Sequence, residues 1–237
     1  MFSLQTAIKD FTNKENKLND LKKLYRMNKV DIGQQVDTYT NPQFCRKVLS
    51  TTYQWTEEDN AKLIPIFSGH RRDARSHRNY AFTLLTGWLA EDIVLINLNK
   101  YGKIFNKNGC DDKRDLLEDR KINNAPDIVS VDSDIYIEVV TNYHMGKQKC
   151  FWEENKQIDL RDNKLDHLMS YSENATVFLV GLMVAKSKYY LLPIDKNTKY
   201  SINKNNAFFG GKKTKAIELN QAMMQHRLAD ISKIFRR

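Results

Sequence analysis

Hydrophobic positions recur with a helical period in several parts of the chain. Over residues 4–27, 79–100 and 216–235, apolar side chains return every three or four positions, as on a helix with one buried face. The pattern over 79–100 is the clearest, and Gly102 just beyond it favours a helix end there. A more polar helix is expected around residues 153–171. The apolar face predicted for 79–100 consists of Ala81, Leu84, Leu85, Trp88, Leu89 and Ile96.

Short runs rich in β-branched and aromatic residues predict strands between these helices. Residues 128–131 and 135–140 flank the turn-forming residues 132–134, which predicts a hairpin. Residues 176–185 and 188–194 predict two further strands. The order of elements indicates an α/β (α+β) fold with a mixed central β-sheet flanked by helices, and with N- and C-terminal helical extensions.

The chain offers no obvious place to divide it. No repeat and no linker rich in Gly, Ser or Pro interrupts the 237 residues, so we expect a single domain, residues 1–237. Within it we expect a mainly helical N-terminal region with a basic stretch over 1–78. A core over 79–195 and a basic loop with a C-terminal helix over 196–237 complete the prediction.

Composition narrows the class of protein. The longest apolar run, residues 177–185, is about half of the roughly 20 residues that cross a bilayer, so no membrane span is expected. The first ten residues lack a signal pattern, and the 3 Cys show no paired spacing. We therefore expect a cytoplasmic protein with reduced thiols.

Charge favours a polyanionic partner. The chain has 38 Lys and Arg against 29 Asp and Glu, a net charge of +9, although a basic surface can also serve solubility alone. The segment 197–237 is strongly basic, whereas 111–138 is acidic. An acidic site within a basic protein is typical of a metal-dependent enzyme that acts on nucleic acid.

The acidic residues of the predicted hairpin are candidates for that site. If residues 132–133 form a two-residue turn, Val131 faces Asp134 and Asp127 faces Glu138. Carboxylates on neighbouring strands, with Cβ atoms roughly 5 Å apart, can share a divalent cation. In the alternative interpretation Asp127 caps a loop and Glu138 points to solvent, and a register shift of one residue would separate the two side chains.

These residues resemble a known superfamily. Gly87-Trp-Leu-Ala-Glu91 on a helix that ends near Gly102, then Pro126-Asp127, then Glu138 in the second strand of a hairpin, is similar to the PD-(D/E)XK nucleases. The resemblance covers roughly residues 80–185, and type II restriction endonucleases are the best-known members of this superfamily near this length.

The resemblance implies a restriction-endonuclease-like core and Mg²⁺-dependent cleavage of double-stranded DNA, with Mn²⁺ as a possible substitute. It implies sequence-specific cleavage within a restriction system, and a homodimer, because cutting both strands requires two sites. Asp127 and Glu138 would be the metal ligands, and Glu91 an assisting acid. No zinc-ligand spacing and no phosphate-binding loop are present, so neither zinc nor a nucleotide cofactor is expected.

One position departs from the family pattern. The Lys expected two residues after the acid is Val140 here. Asn142, Lys147, Lys149 or Lys164 could replace it, although each Lys can equally be a solvated surface residue. Val140 can also mark a protein that binds DNA without cutting it, and a repair or recombination nuclease is a further alternative.

DNA contacts are expected from two basic segments. One precedes the clearest helix and the other follows Gly210-Gly211, and both are predicted to be loops. For each, the alternative is a solvated surface. The residues are Arg71, Arg72, Arg75 and Arg78 in the first segment, and Lys212, Lys213 and Lys215 in the second.

Overall fold

A computed structural model gives the architecture of the second half of the chain and of one helix before it. It describes residues 77–100, 102–109, 124–142, 152–153, 156–183, 188–206, 209, 211–219 and 223–235. The N-terminal helices predicted over 1–78 lie almost entirely outside these residues.

Helix α1, His77–Leu98, is close to the predicted bounds of 79–100. Trp88 on this helix is buried, as predicted, but Ile96 is 44% exposed and does not belong to the apolar face. Gly102 has a φ of 87°, a left-handed conformation that favours glycine just beyond a helix end. Asn99 fixes the exit of the helix, because its side chain donates to Phe105 O and accepts from Phe105 N.

The chain divides into two compact units, and the boundary falls within α1. One unit comprises Met1–Leu89 and Lys113–Ile122, and the other comprises Ala90–Asp112 and Asn123–Arg237. All the described strands belong to the second unit. The sequence contains no linker at this boundary, and the expected single domain, residues 1–237, stays a prediction.

A six-stranded mixed sheet forms the centre of the second unit. Its strand order is β1-β2-β3-β5-β6-β9, in which β3 and β5 are parallel and the other neighbours antiparallel. The mixed sheet expected from the sequence is thus confirmed. The strands are β1 Phe105–Lys107, β2 Ile128–Ser130, β3 Ile135–Asn142, β5 Thr176–Met183, β6 Lys188–Ile194 and β9 Met223–Arg227.

A second, antiparallel sheet has the order β4-β8-β7. Its strands are β4 Gln157–Arg161, β7 Tyr200–Asn206 and β8 Lys212–Glu218. Helix α2, Asp162–Tyr171, follows β4 and leads into β5. Neither described helix is long and apolar enough to cross a membrane.

Two helix predictions were wrong in part. The five residues of β4 stand within the span 153–171 where the polar helix was expected, and α2 forms only the later part of that span. The predicted basic loop and C-terminal helix of 196–237 are instead β7, β8, β9 and a 3-10 helix, Leu228–Phe235. An apolar repeat of three to four residues also fits short strands separated by turns, and pairing with β4 and β6 stabilises the strands.

The core lies between one face of the large sheet, α2 and the inner face of the small sheet. Leu165 and Leu168 of α2 pack there against Leu179 of β5 and Ile158 of β4. Gly181 allows this close approach, because a Cβ at that position would lie 2.8 Å from Ile158 Cδ1 and 3.1 Å from Trp152 Cζ3. The remaining members of the cluster are Leu160, Val177, Met183, Tyr190, Leu192, Ile194 and Ile217.

Candidate functional site

The β2–β3 hairpin has the register predicted from its turn. Ile128 pairs with Ile137 and Val129 with Tyr136. Continuing this register by one residue places Asp127 opposite Glu138, so that the two side chains leave the same face of the hairpin. At the other end, Ser133 adopts a φ of 58° and donates its N–H to Ser130 O at 2.8 Å, which closes the turn.

Glu138 is a buried carboxylate on the covered face of the large sheet. Tyr136 and Val140 precede and follow it at the two-residue spacing of one strand face, and both pack against the core cluster. Only 6% of Glu138 is exposed. Burial and the neighbouring charges of Asp127 and Glu91 raise the pKa of Glu138 well above its ordinary value, against the opposing effect of Lys164.

Lys164 of α2 supplies the cation beside this carboxylate. Its Nζ lies 2.8 Å from Glu138 Oε2, which makes an ion pair. The same Nζ lies 3.4 Å from Asn124 O and 3.3 Å from Ala125 O, in the segment just before Asp127. The lysine thus joins α2, β3 and the entry to β2 at one point.

Asp127 is oriented by the backbone around it. Its Oδ2 accepts a hydrogen bond of 2.7 Å from Val139 N, on the strand that carries Glu138. Asn108 donates its side-chain amide to Pro126 O at 2.9 Å and its backbone N–H to Asp127 O at 2.8 Å. These bonds hold the Pro-Asp segment between β1 and β3.

Glu91 belongs to the second unit and is half-buried on α1. Its charge raises the pKa of Glu138, so it contributes to the field at the site. Three of the predicted acids, together with Lys164, therefore influence one another electrostatically. Their surplus of negative charge favours the binding of a cation.

Of the other candidates for the missing lysine, the structure describes only Asn142. Asn142 is buried on the Glu138 face but four residues further along β3, about 13 Å away at the strand rise of 3.3 Å. Lys147 and Lys149 are outside the described residues. Val140 packs against the core, which explains why this position is apolar.

The second predicted basic segment is a strand rather than a loop. Lys212, Lys213 and Lys215 all lie in β8. Lys213 Nζ is 2.8 Å from Asp162 Oδ2 on α2. Lys215 is buried, pairs with Asp166 and Asp162 of α2, and lies over the Tyr200 ring at 4.8 Å from its centre. A buried, doubly paired lysine is unsuited to the DNA contact predicted for Lys215.

The structure describes only one of the four arginines in the first basic segment. Arg71, Arg72 and Arg75 lie outside the described residues, and Arg78 lies in the first turn of α1. Their predicted DNA contacts stay predictions.

The donor set fits a hard divalent cation. Among the described residues, no group of three or more His, Cys, Asp or Glu side chains is arranged around a metal position. Two carboxylates are nevertheless sufficient for Mg²⁺, which commonly binds one or two carboxylates and completes its shell with water and substrate phosphate oxygens. The roles of Asp127 and Glu138 as its ligands stay predictions.

Comparison with protein-family models, with curated proteins and with solved structures found no match to this chain.

Proposed function

We propose that this chain is a Mg²⁺-dependent endonuclease for double-stranded DNA, of the sequence-specific restriction type, with a site of Asp127, Glu138 and Lys164. The observation that carries the proposal is the position of Lys164. Its Nζ lies 2.8 Å from the Glu138 carboxylate and within 3.4 Å of the backbone that leads into Asp127. A helix thereby supplies the cation that the family pattern expects at Val140.

Asp127 and Glu138 would hold the cation, with Mn²⁺ able to replace Mg²⁺ because both bind oxygen ligands. When bound, such an ion polarises a phosphodiester and lowers the pKa of coordinated water. The raised pKa of Glu138 supports this role, because burial and Asp127 destabilise its ionised form, and a bound cation would stabilise that form.

The protein's own groups would then orient the substrate. The hydrogen bond from Val139 N keeps the Asp127 carboxylate turned toward the Glu138 strand. Lys164 would keep its proton at Nζ and bring a positive charge to the attacking water and the developing negative charge of the phosphate. Glu91 adds negative charge and would strengthen cation binding rather than contact the substrate.

The parallel pair β3–β5, joined through α2, supports the restriction-endonuclease-like core that the resemblance implies. The homodimer expected for cleavage of both strands belongs to the same proposal.

A silent DNA-binding protein is the second candidate, and one observation favours it. The Glu138–Lys164 ion pair already supplies the buried carboxylate with a counter-charge, as an internal replacement for a metal would. In that case the site would stabilise the fold without hydrolysing DNA.

The first experiment incubates the purified protein with supercoiled and phage DNA in Mg²⁺, in Mn²⁺ and in EDTA. We expect discrete fragments with either metal and none in EDTA. Lys164→Met should slow cleavage by about 10²–10³-fold, the usual loss when one group that stabilises developing negative charge is removed. Lys156→Met, at an exposed lysine outside the site, is the matched control. Binding without cleavage in both metals would favour the silent protein.

A further inference from the structure

The β7–β8 hairpin forms an exposed basic ribbon at the edge of the small sheet. Residues 196–213 contain five lysines and no acidic residue. Lys196, Lys199 and Lys204 are exposed, as are Lys212 and Lys213 at the start of β8. β7 pairs only with β8 among the described strands, so the ribbon lies at one side of that sheet.

The end of the ribbon is held in a defined shape. Asn203 pairs with Thr214 and Asn206 with Lys212, so β7 carries one extra residue between them, at a bulge. Asn205 N donates to Asn203 Oδ1 at 3.1 Å, and Gly211 N donates to Asn206 O at 2.9 Å. The bulge therefore presents Lys204 and Lys212 from opposite strands at the same end of the ribbon.

The ribbon is also tied to the helix that carries Lys164. Lys213 and Lys215 of β8 form ion pairs with Asp162 and Asp166, which lie one turn apart on α2. A ligand bound along the ribbon would therefore be positioned relative to α2.

We propose that the β7–β8 hairpin binds duplex DNA by entering its major groove, with Lys204 and Lys212 on the flanking phosphates. This inference rests on the proposed function for its choice of DNA as the polyanion. Two paired strands are about 5 Å apart, and the B-form major groove, about 12 Å wide, admits a two-stranded ribbon. The deep, narrow major groove of A-form RNA excludes it. Lysine acts as a flexible point charge suited to phosphates.

The test measures binding of a labelled DNA duplex in EDTA, over a series of salt concentrations. Lys204→Gln/Lys212→Gln removes two exposed charges of the ribbon, and Lys156→Gln/Lys188→Gln removes two exposed charges outside it. The ribbon variant should bind about tenfold more weakly, and its slope of log affinity against log salt should fall by about 1.8, or 0.9 per phosphate contact. The control should retain the wild-type affinity and slope, and both variants should retain the wild-type melting temperature.

Equal losses in the two variants, or no loss in either, would overturn the proposal, as would equal competition by double-stranded RNA. Because EDTA prevents cleavage, the outcome is separate from that of the nuclease proposal. Ribbon-dependent binding without cleavage in Mg²⁺ would refute only the proposal that the protein is a nuclease. Cleavage with unaltered affinity in the ribbon variant would refute only the proposal that the ribbon binds DNA.

Discussion

At Glu138, folding places a carboxylate where its charge is unfavourable. The residue is 6% exposed, lies in a face otherwise made of core side chains, and is close enough to Asp127 for that charge to raise its pKa. Residues that lower stability in this way are typical of functional sites, where a bound ligand or cation offsets the unfavourable charge.

Glu138→Gln should therefore stabilise the protein at neutral pH. Because folding raises the pKa of Glu138 above its ordinary value of 4.5, the folded state binds a proton at this carboxyl more tightly than the unfolded chain does. The stability linked to that proton is complete below pH of about 4.5 and is lost as pH rises through the raised pKa. Gln has no proton to lose, so the melting temperature of the variant should exceed that of the wild type increasingly with pH.

Thermal unfolding followed between pH 4 and pH 8 measures this difference, in the absence of divalent cations. Glu218→Gln, at an exposed glutamate of β8, should show no such trend. If the variant instead becomes less stable than the wild type as pH rises, the ion pair with Lys164 outweighs the burial of the carboxylate.

The sequence was sufficient to predict the register of the β2–β3 hairpin but not which lysine lies beside Glu138. The turn residues 132–133 determine the register, in which Ile128 pairs with Ile137. Lys164 was one of several equivalent candidates, because its place beside Glu138 depends on how α2 packs against the sheet. No local spacing contains that information.

Among the helices and strands, the predictions were confirmed where the hydrophobic pattern fits only one type of element. The helix over 79–100 and the strands of 128–140 and 176–194 combine a clear period with turn residues at their ends. The helix prediction for 216–235 failed, because its apolar positions fit a helix as well as short strands and a 3-10 helix. Pairing of β8 with β4, which is remote in sequence, is absent from the local pattern and favours the strand.

Gly181 is a strand position whose lack of a side chain the packing requires. Gly181→Ala should cost about 1–3 kcal/mol in the free energy of unfolding, because the added Cβ would lie 2.8 Å from Ile158 Cδ1. Ile158→Val removes that Cδ1 atom, so the double variant should lose less stability than the sum of the single changes. Urea unfolding of the three variants checks this. Additive losses would show that the clash is with the Trp152 ring instead.

At the scale of the molecule, one sheet brings together the acids of a hairpin and the lysine of a crossover helix. β3 and β5 are parallel and need a crossover connection, and α2 in that connection covers the face that Glu138 occupies. The second sheet holds α2 from its other side through Lys213 and Lys215. The proposed chemistry and the proposed DNA contact thus both depend on the position of α2.

If Asp127, Glu138 and Lys164 form a nuclease site, a change at Asp127 should reduce the cleavage rate without reducing the affinity for DNA. Asp127→Asn should reduce the single-turnover cleavage rate in Mg²⁺ by at least about 10²-fold, while its duplex affinity in EDTA stays within a few-fold of wild type. Asp132→Asn is the matched control, because Asp132 lies exposed at the other end of the hairpin, 2.6 Å from Lys103 Nζ. It should leave both quantities unaltered. Unchanged cleavage in Asp127→Asn, or a loss of affinity equal to the loss of rate, would show that Asp127 is not a metal ligand required for cleavage.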